Sequence, residues 1–261
     1  LVLATEELGG ITERTTSRDL VWDGILNVRD LGGHPTEDGR ETQFGRIVRA
    51  DNIRRLSDEG WRSLVDYGIR TVVDLRTEEE LDADPPAELP VDVLHVPFMT
   101  DDPLMFERAE KVSAAVHDIA TATRDVYLIF IEGSHDKIVK VIEAIVDAPE
   151  GGVVVHCAGG KDRTGLTVAF LLRIARLGLD EIAADYALSE DRLRPRHEQW
   201  LAETTDEREL ERLKRIMQTP AASMIGVLEE LERRYGTIEG FLQAGGAPPD
   251  VGERVRARLL D

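Results

Sequence analysis

Apolar residues along this chain recur with two periods. "GIRTVVDLRT" (68–77) is rich in β-branched residues and reads as a buried strand, and "LSDEGWRSLVDYG" (56–68) ahead of it has helical spacing with a glycine stop. Helix followed by strand is half of an α/β unit. From Thr77 to Pro90, "TEEELDADPPAELP" is acidic and proline-rich, and is expected to be an exposed loop. "VDVLHVPF" (91–98) alternates as a strand does. The segment 102–148 is mostly of helical period with a break near "EGSH", which predicts two or three helices.

"GGVVVHC" (151–157) is a short apolar run after a glycine turn, suited to a fully buried central strand of a parallel sheet. "TGLTVAFLLRIARLG" (164–178) is apolar nearly all round, the pattern of a core helix, with Gly178 as its expected stop. From Asp180 onward the pattern is helical, with breaks expected at "RLRPRH" (192–197), at Pro220 and at "GGAPPD" (245–250). The fold class expected is α/β: a central mixed, mainly parallel sheet flanked by helices, in a single domain over 1–261. It would carry a helical insertion or lid over 102–148 and a helical elaboration over 180–261. "VYLIFI" (126–131) is then either a gating surface of that lid or a plain core face.

No segment reaches the roughly 18 uncharged apolar residues of a membrane span, so a soluble chain without stable membrane insertion is expected. With 51 acidic against 32 basic residues the formal charge is -19, which disfavours nucleic acid and anionic bilayers as partners. Any anionic ligand must be held by a local positive site. The first residues, "LVLATEELGG", have no basic stretch ahead of a long apolar one and do not read as a signal peptide. Cytoplasmic or exported location and oligomeric state stay open.

The one cysteine, Cys157, excludes an intramolecular disulfide and stands where the central strand turns into the core helix. Ligands of open α/β sheets bind at that end of the strands, and a helix N-terminus presents free N–H groups and a positive dipole to an oxyanion. Gly159 and Gly160 allow the backbone to curl so that successive amides point inward. A thiol among those dipoles, near Lys161 and Arg163, is expected to ionise below the usual value of about 8.5 and to act as a nucleophile. Arg163, six positions on, can grip two oxygens of a phosphoryl group. Thr164 can donate its hydroxyl to the departing sulfur, and His156 can fix the loop through its ring. A Walker phosphate loop is not met, since Val155 stands at its first glycine and Asp162 follows the lysine. No histidine spacing or second thiol suggests a metal site.

"HCAGGKDRTG" has the His-Cys-x5-Arg-Thr-Gly signature of the cysteine-dependent phosphatase superfamily. Within it, "AGGKDRTG" resembles the atypical bacterial tyrosine phosphatase B group, which is also similar to phosphoinositide phosphatases. "NVRDLGG" (27–33), "VVDLRT" (72–77) and "ADYALSED" (184–191) resemble that group's segments in the same order. The resemblance implies a tyrosine-phosphatase-like fold and hydrolysis through a phosphocysteine, without metal or cofactor. Its substrates would be phosphotyrosine, phosphoserine or phosphothreonine, and phosphoinositides. Cys157 and Arg163 would be catalytic, with Ala158, Gly159, Gly160, Lys161 and Thr164 binding substrate and Lys161 adding charge for a second phosphate. The group's loop aspartate favours Asp162 as general acid; Asp101 or Asp102, and then Asp74, are the alternatives, each otherwise a solvated or capping carboxylate. "NVRDLGG" would shape a turn near the site.

The cluster Arg192, Arg194, Arg196 and His197 reads as a solvated loop, or less readily as a surface for an anionic substrate. Two rival functions remain: a binding module that has kept the loop without turnover, and a rhodanese-type sulfurtransferase, whose loop lacks the Arg-Thr-Gly ending.

Overall fold

The computed structural model describes residues 17–84 and 90–261, so the N-terminal decapeptide and the proline run at 85–89 lie outside the described residues. Five strands form one sheet: β1 (Arg29–Asp30), β2 (Ile47–Ala50), β3 (Ile69–Asp74), β4 (Asp92–His95) and β5 (Gly152–His156). Their spatial order is β1-β2-β5-β3-β4, with β1 antiparallel to β2 and every other pairing parallel.

The run "GVVVH" therefore lies at the centre, and all five of its residues are buried. Its period of two sends Val153 and Val155 to one face and Val154 to the other. The Val154 face is covered by α1 (Asp58–Asp66) and by Leu20, Trp22 and Ile53 from the segments around β1 and β2. The opposite face carries the larger core. It is built from α3 (Pro103–Ala115), α4 (Ile119–Glu132), α5 (His135–Val146), α6 (Asp162–Ile174), α7 (Leu179–Glu203), α9 (Ala221–Tyr235), α10 (Ile238–Ala244) and α11 (Val251–Leu260). α6 is the axis of that layer; Leu166, Phe170, Leu171 and Leu172 are buried on all its sides, as its uninterrupted apolar sequence requires. α8 (Glu207–Ile216) lies outside the core and buries no residue.

Three expectations are corrected. The acidic segment after β3 is not all loop: α2 (Glu78–Ala83) forms there, closed by a capping box in which Thr77 and Glu80 each bond the other's backbone. The break at "RLRPRH" does not occur, since α7 runs through Pro195. A helix-interior proline costs about 3 kcal/mol; burial of Leu193, Arg196 and His197 on the same stretch, with Arg196 2.8 Å from Asp51, offsets it. The supposed solvated basic loop is thus a helix face whose Arg192 donates to the Val28 carbonyl and only Arg194 stands free of the core. Gly178 does not stop α6 but is the N-cap of α7; the chain turns at Arg176, which takes φ +67°.

The helices of 102–148 are built into the core, and in "VYLIFI" Tyr127, Ile129 and Ile131 are buried. No helix of the described residues is long and apolar enough to cross a membrane.

Candidate active site

The loop from Cys157 to Lys161 joins the carboxyl end of β5 to the N-terminus of α6. Its carbonyls are held from outside. The Asn52 amide donates to the Ala158 carbonyl at 3.2 Å. The Asn27 side-chain amide donates to Gly159 and Gly160 at 3.1 and 3.0 Å, and Arg49 donates to Gly160 at 2.7 Å. With the oxygens fixed outward, the amides turn the other way, and those of Ala158 to Arg163 make no hydrogen bond among the described residues. α6 has no side-chain cap, so its N-terminal N–H groups are open to a ligand. Gly160 has φ +63°, and a Cβ there would lie 2.3 Å from the Ala50 carbonyl oxygen. Gly159 meets nothing closer than the Lys161 side chain at 3.9 Å, so only one of the two glycines is sterically required.

The clamp on Gly160 belongs to a buried ionic cluster. Arg29 and Arg49 share Asp185 of α7: Arg29 Nε donates to Oδ1 at 2.7 Å and Arg49 Nη1 to Oδ2 at 2.5 Å. Arg29 also donates to Asn27 Oδ1 at 2.6 Å, so the residue that grips the loop is itself oriented. Burial alone would raise the Asp185 carboxyl, but the two guanidinium groups outweigh it and hold it well below the usual carboxylate range.

Cys157 is 2% exposed. Arg163 donates through both terminal nitrogens to Glu80 of α2, Nη2 to Oε1 at 2.8 Å and Nη1 to Oε2. Burial works against the Arg163 charge, yet Glu80 and the neighbouring Cys157 raise its pKa above the ordinary value, so the cation is permanent. Thr164 is buried with its hydroxyl unpartnered among the described residues. His156 is fully buried, which lowers its pKa, while the facing Asp74 carboxylate works to raise it; its Nδ1 donates to the Cys157 carbonyl at 3.2 Å.

The four aspartates part company. Asp162 is the first residue of α6, half-exposed beside the loop; its Oδ1 accepts from Tyr127 of α4 and lies 3.3 Å from Lys161 Nζ. Asp74 is buried at the end of β3. Burial would raise its carboxyl, but the facing His156 ring and the bonds from Arg76 Nε, Nη2 and backbone leave it below its ordinary value. Asp102 N-caps α3 through Leu104, and it and Asp101 are exposed. Lys161 does not turn to the loop interior: its ammonium donates to the Ile216 carbonyl at the end of α8.

Glu80, Asn27, Arg49 and Asp185 carry much of this geometry and were not singled out from sequence. Thr77-x-x-Glu80 is a capping-box signature that would have revealed α2. Asn27 and Asp185 lie inside the "NVRDLGG" and "ADYALSED" segments. Nothing in the local sequence marks Arg49.

The sequence model described as "Tyrosine phosphatase family" matches residues 20–261. The chain is 29% identical to the triple specificity protein phosphatase PtpB of Mycobacterium tuberculosis over 91% of its own length and 97% of the relative's. It is 27% identical to a tyrosine-protein phosphatase of Nostoc commune, over 82% of this chain and 74% of that one. A match that begins ahead of β1 and runs through α11 takes in every strand and helix described above, and the chain belongs to the tyrosine phosphatase family.

Proposed function

We propose that this phosphatase hydrolyses phosphomonoesters through a phosphocysteine on Cys157. The observation that carries the reading is the loop whose carbonyls are fixed outward, leaving a run of unpaired amides and the Arg163 cation around one buried sulfur. Such an array stabilises the charge on the equatorial oxygens as it spreads in the transition state. The sulfur attacks phosphorus as the bond to the leaving oxygen breaks; water then attacks the same phosphorus, the S–P bond breaks to return the thiolate, and inorganic phosphate leaves. Glu80 positions Arg163 by fixing both of its terminal nitrogens. The unpartnered Thr164 hydroxyl supports its reading as donor to the departing sulfur.

Of the aspartates, Asp162 is the one beside the loop and half in water, whereas Asp74 is locked as a carboxylate by Arg76. We read Asp162 as the acid that protonates the leaving oxygen, positioned by Tyr127. Asp162→Asn is expected to lower kcat about 100-fold on alkyl phosphates, whose leaving oxygen needs the proton, and only a few fold on p-nitrophenyl phosphate. Equal losses on both would return the role to Asp101 or Asp102.

A sulfur this buried favours a substrate that carries its phosphate on a long side chain, which places phosphotyrosine first. The description of PtpB as a triple specificity protein phosphatase supports a wider range, and we include phosphoserine, phosphothreonine and phosphoinositides. The test is hydrolysis of p-nitrophenyl phosphate with chelator present. Chelator-resistant turnover blocked by vanadate is expected; no turnover, with vanadate still bound, would make the loop a phosphate receptor.

A further inference from the structure

A second site of convergent donors lies on the same rim of the sheet. Asp84, at the end of α2, is 42% exposed, yet its Oδ2 accepts from Asn52 Nδ2 and from Arg76 Nη1, each at 2.9 Å, and its Oδ1 lies 3.7 Å from Arg54 Nε. Asn52 and Arg54 belong to the turn that follows β2, and Arg76 follows β3, so all three stand at carboxyl ends of parallel strands. Arg76 divides its guanidinium: Nε and Nη2 are bound by Asp74, while Nη1 is left for Asp84.

A cleft of about 130 Å³ opens here, with Arg54, Arg76, Asp74 and His95 on its polar side and Leu81 and Val93 among its apolar residues. The seat is tied to the Cys157 loop twice. The Asn52 amide holds the Ala158 carbonyl, and Glu80, four residues before Asp84 in the same helical segment, holds Arg163. That spacing separates the two carboxylates by about 6 Å along the axis.

We propose that Asn52, Arg54 and Arg76 form a carboxylate subsite beside the Cys157 loop, selecting phosphopeptides with an acidic residue next to the phosphorylated one, and that Asp84 fills it until such a peptide displaces it. This rests on the phosphatase reading above. Charge balance chooses the ligand: Arg54 and Arg76 against Asp74 leave one net positive charge once Asp84 departs, which matches a single carboxylate rather than a phosphate of about two charges. What the seat holds in this structure is itself a peptide carboxylate, and Leu81 and Val93 supply walls for an apolar stem. Asp84 is half in water, so the carboxylate of a bound peptide can compete with it for the same donors.

The experiment compares kcat/KM for two phosphotyrosine peptides that differ only in glutamate or glutamine beside the phosphotyrosine. Wild type is expected to prefer the acidic peptide about threefold. Asp84→Ala, which empties the seat, should widen the preference to about tenfold through a lower KM. Arg54→Gln, a change at a part-exposed side chain, should bring the ratio near one in either background. An Asp84→Ala ratio equal to that of wild type, or a preference that survives Arg54→Gln, would overturn the subsite while p-nitrophenyl phosphate turnover still upheld the phosphatase. If Arg54→Gln impairs only a water-soluble phosphatidylinositol bisphosphate, the seat belongs to a headgroup phosphate and the proposal falls. No p-nitrophenyl phosphate turnover by wild type would remove the reading on which it rests.

Discussion

Replacing Cys157 by serine is expected to reduce turnover of aryl phosphates by about 10⁴-fold or more, while vanadate and phosphate still bind. The size follows from the role: without the sulfur there is no covalent intermediate, and a serine hydroxyl is hardly ionised at neutral pH, so the remaining loop can only bind. Binding should persist because the receptor is made of backbone amides and Arg163, none of which the substitution touches. Nor should the fold suffer. Oxygen replaces sulfur at a 2% exposed site whose loop is fixed by contacts to its carbonyls, not to the side chain of residue 157. The measurement is single-turnover hydrolysis alongside vanadate titration of wild type and variant. Turnover retained at even a hundredth of wild type would remove Cys157 as nucleophile. Thiosulfate turnover by wild type, lost in the variant, would revive the sulfurtransferase alternative.

The strand, loop and core helix around Cys157 were legible because each is dictated locally. Three valines after a glycine turn make a buried strand, and an uninterrupted apolar run makes a buried helix. β1 and β2 were missed: they are two and four residues long, and all six residues are buried, Arg29, Asp30 and Arg49 among them, so neither shows an alternating or wholly apolar pattern. α2 was hidden by composition, since three glutamates before a proline pair read as loop until the Thr77–Glu80 capping box is noticed. Pro195 misled in the opposite direction, because a local breaker yields when its neighbours are buried and ion-paired. The same distinction runs through the site. Cys157, Arg163 and Gly160 sit within one loop and could be read together. The groups that shape the loop come from afar: Asp185 and Arg49 are 136 positions apart, and their meeting is a property of the sheet order and of α7 lying against it. Lys161 shows the limit of reading even a local residue, for its ammonium is drawn to the end of α8, which no loop motif foretells.

Asp185→Asn is expected to be the most damaging substitution outside the loop, in both stability and rate. Arg29 and Arg49 are 1% and 0% exposed and face a carboxylate that is 2% exposed, so removing its charge leaves two buried cations uncompensated. Breaking a buried ion pair from one side costs about 3–5 kcal/mol. The sign of the pH dependence is fixed by the direction of the shift. The folded-state pKa of Asp185 lies below the unfolded value of about 3.9, so its stabilisation is complete above about pH 4 and is lost as pH falls through the folded value. The gap in Tm between wild type and Asp185→Asn should therefore be constant from pH 8 to about 5 and close below 4. An unvarying gap down to pH 2 would show that the carboxylate charge is not what holds the cluster. For rate, Arg49 releasing the Gly160 carbonyl and Arg29 releasing Asn27 let the loop amides drift, and misplacement of that order costs about 100-fold in kcat. A merely structural role would leave kcat unchanged at a temperature where the variant is fully folded. Loss of kcat under that condition, with vanadate affinity falling in parallel, marks Asp185 as a positioning residue of the loop, and an unchanged kcat would confine it to the fold.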